Sequence, residues 1–181
     1  MNGLSDKPLL PQGAELAAPP TLLKVYGSLT LALAMNLLPW PDDALWLAPD
    51  FTLMLLLYWH IHAPRYAGLG TAFFFGLITD VARGVLLGLD TLAYCTAAFF
   101  VLSLRLRLVN FDAPRQALQI APILLTKEAL VLGLGLALGR AADADWRWLA
   151  SGVVAALLWA PLAMLVDRLT GRPSYPIQNR L

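Results

Sequence analysis

The chain has 181 residues, 59% of them apolar and only 14% charged, with 13 basic against 12 acidic side chains. A soluble domain carries about 25% charged residues, so there is too little charge here to cover a water-facing surface. The net charge of +1 gives no footing for a nucleic-acid binder, and the single Cys95 excludes both an internal disulfide and a cysteine-based metal cluster.

Residues 1–20 hold Pro8, Pro11, Pro19 and Pro20 with Asp6, Lys7 and Glu15, and have no apolar core of a secretory signal. They read as a disordered tail. A transmembrane helix needs roughly 20 mainly apolar residues to cross about 30 Å of hydrocarbon. Six segments approach that length, giving an all-α, polytopic membrane bundle of six transmembrane helices over 21–170, with a short tail at 171–181.

The first span runs from about Thr21 to Leu38 and stops at Pro39-Trp40-Pro41-Asp42-Asp43. The second runs from about Ala44 to His62, the third from Tyr66 to Arg83 and the fourth from Asp90 to Leu106. The fifth covers Arg115 to Leu138 and the sixth Trp148 to Leu169. Between the third and fourth, Gly84-Val85-Leu86-Leu87-Gly88-Leu89 is too apolar for an ordinary loop. It reads as a re-entrant or interfacial turn, because non-helical backbone at depth must be shielded by protein or face water.

Lys and Arg are commoner in cytoplasmic loops. Lys7, Lys24, Arg65, Arg105, Arg107, Arg115, Arg168, Arg172 and Arg180 fall on one side of the six-span order, and Arg83, Arg140 and Arg147 on the other. This bias places both termini in the cytoplasm. The opposite side carries Asp42, Asp43, Asp90, Asp143 and Asp145.

A charge at the bilayer centre costs roughly 2.5–3.5 kcal/mol on insertion scales, so the intramembrane charges are the first candidates for function. Lys127 and Glu128 lie mid-way along the fifth span. Adjacent helix residues point about 100° apart, so each is expected to seek partners elsewhere, in a packed ion pair or a polar cavity. Asp80 belongs to the row Gly68, Ala72, Gly76, Asp80, Gly84, Gly88, whose small residues at four-residue steps suit close helix approach. Arg83, three residues on, is a local partner for Asp80.

Asp50 follows Pro49 at the start of the second span, where an acid suits the positive end of a helix dipole. Pro122 and Pro161 interrupt the fifth and sixth spans and are expected to kink them. Gly135 and Gly139 form a second small-residue pair. His60 and His62 diverge by about 200° on a helix, which is wrong for joint metal ligation; they read as solvated interfacial side chains. There is no phosphate-binding G-x-x-x-x-G-K-[ST], no G-x-S-x-G and no H-E-x-x-H. No catalytic, metal or cofactor site is expected.

Taken together, Pro49-Asp50-Phe51 leading into Leu56-Leu57-Tyr58-Trp59, the run from Gly76 through Thr79-Asp80 to Gly88, and Leu158-Trp159-Ala160-Pro161 resemble the bacterial rod shape-determining MreD family. The resemblance covers most of 45–170. It implies a non-enzymatic inner-membrane component of the elongation machinery that directs lateral peptidoglycan synthesis and cell shape. It further implies MreC as a direct partner, with MreB, RodA and a class B penicillin-binding protein in the wider complex. The family is similar in fold to the S components of energy-coupling-factor transporters, so the alternative is a substrate-binding membrane subunit of a vitamin or small-molecule transporter. The family-like positions are Pro49, Asp50, Asp80, Gly84 and Gly88, with Glu128 as a functional acid that the neighbouring Lys127 could neutralise.

Overall fold

The computed structural model describes residues 20–41, 45–139, 147 and 149–171. The expected tails, and the acids Asp42, Asp43, Asp143 and Asp145, lie outside the described residues. Among the described residues, six α-helices and one short 3-10 turn, Leu45–Leu47, make up the fold. The helices are α1 (Leu22–Asn36), α2 (Phe51–His62), α3 (Leu69–Arg83), α4 (Leu89–Leu108), α5 (Ala113–Ala137) and α6 (Leu149–Thr170).

Of these, α4, α5 and α6 are long and apolar enough to cross a membrane, while α1 and α2 are shorter apolar helices. The second span expected from Ala44 begins seven residues later, because Asp50 caps α2: its carboxylate accepts the Leu53 N–H at 3.0 Å. That leaves α2 with 12 residues, about 18 Å of helix, which is well short of the hydrocarbon thickness.

This short helix is the centre of the bundle. It is apolar all round, and a helix of that kind belongs inside a protein; every residue from Thr52 to Ile61 is buried. Around it pack α1 and α4, with α3 against α4, α4 against α5, and α5 against α6. The peripheral helices turn large apolar side chains outward, among them Leu31, Phe74, Phe99, Leu118 and Leu157, the pattern of a surface meant for lipid or another membrane helix.

The histidines depart from expectation. His60 is fully buried, its two ring nitrogens lying 2.6 Å from the Leu56 carbonyl and 3.0 Å from that of Gly68. Its position on the central helix, inside the bundle, overrides its closeness in sequence to the helix end. His62 is half-buried and stacks on Tyr58 with ring centroids 4.3 Å apart. Tyr58 in turn donates to Asp167 of α6 at 2.5 Å, and the Arg105 Nε–H donates to the Ile61 carbonyl at 2.9 Å. These bonds fasten the C-terminal end of α2 to α6 and α4.

The small-residue row divides by mechanism. At Gly76 a Cβ atom would lie 2.6 Å from the Thr91 Cα, so glycine here permits the close crossing of α3 and α4. At Gly84 and Gly88 a Cβ atom would meet nothing within 4 Å, but these two residues hold φ of +63° and +101°. They are turn residues rather than packing residues: Gly84 ends α3 in a left-handed cap and Gly88 starts α4. Gly135 likewise has open space around it, whereas a Cβ atom on Gly152 of α6 would meet Leu125 and Glu128 of α5 at 3.1 and 3.2 Å. Both α5 and α6 continue as helix through Pro122 and Pro161.

Candidate functional site: a buried charge cluster and its cavity

The short α2 brings its capping Asp50 down to the level of Lys127, which stands ten residues before the end of α5, about 15 Å along the helix. Lys127 Nζ lies 3.1 Å from Glu128 Oε1, 3.3 Å from Asp50 Oδ2 and 3.9 Å from Asp90 Oδ1. The neighbours Lys127 and Glu128 therefore do pair with each other, contrary to the expectation from their divergent directions. Lys127 also reaches across to α2 and α4, so three helices share one ammonium. All four of these groups are buried.

Asp50 is held by more than its charge. Tyr94 of α4 donates its hydroxyl between both carboxylate oxygens at 2.8 and 2.7 Å, and the Asn36 amide donates at 2.7 Å. Asn36 also donates to Thr52 Oγ1 and accepts the Phe51 N–H, so the last residue of α1 stitches the first turn of α2. Glu128 accepts the Ser151 hydroxyl of α6 at 2.8 Å. Asn36, Tyr94 and Ser151 carry no signal as isolated polar residues in apolar spans; a search for hydrogen-bonding side chains opposite the charged positions is the one pattern that singles them out.

Asp80 does not pair with Arg83. Its carboxylate accepts the backbone N–H groups of Gly88, Asp90 and Thr91 at 2.9, 2.7 and 3.2 Å, and the Thr91 hydroxyl at 2.5 Å. These amides are the free donors at the start of α4, which point toward an anion at a helix N-terminus. The α3–α4 turn folds back so that Asp80 fills that position and is fully engaged there. Arg83 instead reaches Asp90, Nη1 to Oδ2 at 3.4 Å.

Between the ends of α1 and α3, the start of α2, and α5 and α6 lies a cavity of about 430 Å³. Its lining includes the charged Asp50, Arg83, Asp90, Lys127 and Glu128 together with the apolar Leu86, Val131, Leu132 and Leu138. Of the expected site residues, the structure gathers Asp50, Lys127 and Glu128 here, and keeps Gly76, Asp80, Gly84 and Gly88 in the α3–α4 crossing and turn. No group of His, Cys, Asp and Glu fit to hold a metal ion occurs among the described residues.

Comparison with known families matches residues 22–169 to the rod shape-determining protein MreD. This chain belongs to the MreD family. The matched stretch takes in all six helices, but for the last residue of α6, and every residue of the charge cluster. The chain is similar to the rod shape-determining protein MreD of Haemophilus influenzae, with 25% identity over 139 residues, covering 77% of this chain and 85% of the relative. No solved structure matches it. As an MreD-family protein with three helices long and apolar enough to cross a bilayer, it is a membrane protein concerned with rod shape.

Proposed function

We propose that this chain is a non-enzymatic component of the bacterial elongation complex in the inner membrane, binding MreC and helping direct lateral peptidoglycan synthesis. The family match over residues 22–169 carries this reading. In it, all six helices lie within the bilayer with both termini cytoplasmic, in line with the excess of Lys and Arg on that side of the chain. MreB, RodA and a class B penicillin-binding protein are partners in the wider assembly. The exposed apolar faces of the outer helices supply the surface for MreC's membrane helix. Leu87, 65% exposed in the α3–α4 turn, extends that surface.

Co-purification of MreC with the full-length chain tests the reading. The wild-type chain retains MreC and restores rod shape to cells lacking their own MreD protein, and Leu87→Arg weakens both while the melting temperature holds. Retention of no MreC by a folded wild-type chain would overturn the scaffold role.

A second reading is a membrane subunit that binds a small molecule, in a helix arrangement like that of transporter S components. The cavity favours it, because a volume of about 430 Å³ lies within the roughly 300–1,000 Å³ of ordinary ligand pockets.

A further inference from the structure

We propose that the groove between α1 and α6 holds one acyl chain of an anionic phospholipid, whose phosphate pairs with Lys24. The groove lies apart from the charge cluster and has a volume of about 320 Å³. Its α1 wall runs from Lys24 to Met35 and its α6 wall from Leu162 to Thr170, with Phe51, Leu55 and Trp59 of α2 between them. Two hydrogen bonds fix α1 along α2: the Trp59 Nε1–H donates to Ser28 Oγ at 2.9 Å, and the Phe51 N–H to Asn36 Oδ1 at 2.9 Å. From Lys24 to Met35 is about 16 Å of helix, close to half of the roughly 30 Å of hydrocarbon. With Lys24 at the membrane surface, the groove is therefore one leaflet deep. The inference needs only that the chain lies in a bilayer, and is independent of MreC binding.

The shape selects an alkyl chain over a partner helix. A helix is about 10–12 Å across with its side chains and crosses the whole of the hydrocarbon. Here the floor is nearly closed, with Leu55 7% and Trp59 1% exposed, below rims where Leu31 is 65% and Leu169 72% exposed. The polar groups select the class of lipid. The Ser28 hydroxyl donates to the Val25 carbonyl at 2.8 Å while accepting Trp59, and the Thr170 hydroxyl donates to the Val166 carbonyl at 2.7 Å. Neither calls for a polar ligand, so the body of the groove suits hydrocarbon. Lys24 is exposed at the mouth and has no ion pair among the described residues. Asp167, at the same end of α6, is outside the lining and accepts the Tyr58 hydroxyl at 2.5 Å. A lysine stem lies along apolar surface while its ammonium stays at the interface, where it attracts anionic head groups.

Photocrosslinking of the full-length chain tests the inference, in nanodiscs of phosphatidylcholine with a minor share of phosphatidylglycerol. Leu31→p-benzoylphenylalanine puts the probe on the rim of the groove, and Leu118→p-benzoylphenylalanine puts it on the outer face of α5, where Leu118 is 78% exposed. Mass spectrometry then reads which lipid each probe has captured. The Leu31 probe is expected to capture phosphatidylglycerol at least about three-fold above its bulk ratio, the scale of an exposed ion pair, while the Leu118 probe captures the bulk mixture. Lys24→Gln is expected to return the Leu31 adduct to the bulk ratio, and Lys24→Arg to keep the enrichment. Lys24 is exposed, so neither substitution moves the melting temperature. A bulk ratio at Leu31 in the otherwise wild-type chain would overturn the anionic lipid. Enrichment that survives Lys24→Gln would overturn the role of Lys24. Capture of a second copy of the chain in place of lipid would make the groove a contact between copies and overturn the proposal.

Discussion

Asp50 Oδ2 and Lys127 Nζ stand 3.3 Å apart, joining the first turn of the central helix to the middle of α5. Both side chains are 5% exposed, so neither charge has bulk water as a substitute partner. Removing one member of a buried charge cluster costs about 3–5 kcal/mol, since the other is left uncompensated. Lys127→Met is therefore expected to lower the stability of the detergent-solubilised chain by that order, read from thermal unfolding. Adding Asp50→Asn recovers at least ~0.5 kcal/mol relative to the sum of the two single effects. Strict additivity would mean that the contact carries no coupling.

Asp80 ties down the start of α4 by accepting three backbone N–H groups. Asp80→Asn turns one acceptor oxygen into an NH₂ group facing those donors. The expected loss is about 2–3 kcal/mol, in the range for hydrogen bonds to a charged group. Hydrogen exchange offers the sharper check: the amides of Gly88, Asp90 and Thr91 lose protection in the variant while those in the middle of α6 do not. Uniform loss over the whole chain would contradict a local role in the turn.

Gly76→Ala places a methyl group 2.6 Å from the Thr91 Cα, and backbone cannot move aside as a side-chain tip does. Forcing α3 and α4 apart is expected to cost about 1–3 kcal/mol, the usual range for overpacking. Gly133→Ala is the control, since no atom lies within 4 Å of its Cβ position; it gains up to about 1 kcal/mol of helix propensity. A melting temperature that rises in both variants would refute the tight crossing.

Gly84 and Gly88 separate conformation from packing. Gly84 sits at φ 63°, ψ 25°, inside the left-handed region open to a few other residues, whereas Gly88 at φ 101°, ψ −12° lies outside it. Gly84→Asn should be nearly neutral, because asparagine visits that region readily. Gly88→Ala should cost about 1–3 kcal/mol in backbone strain. The ranking is checked by comparing their thermal unfolding; a reversed order would count against the turn geometry.

The helical membrane class, the six apolar segments, the place of Lys127 and Glu128 within the fifth helix and the family are all legible in the order of the amino acids. Each of these is local: an apolar block, a Pro-Trp-Pro stop and a charge within a span can be read without knowing what lies beside them. Even Asp50 at the start of its helix is readable, because a cap acts on amides within its own first turn. What the charges do is settled by packing. The shortness and central burial of α2 lower Asp50 to the level of Lys127, take His60 out of water, and leave a cavity above the cluster. The folding back of the α3–α4 turn diverts Asp80 from its neighbour Arg83 to the amides of α4. Hydropathy and spacing report the environment along one helix, whereas a buried charge takes its partners from whichever helices packing brings within about 4 Å, and that is a property of the assembled bundle.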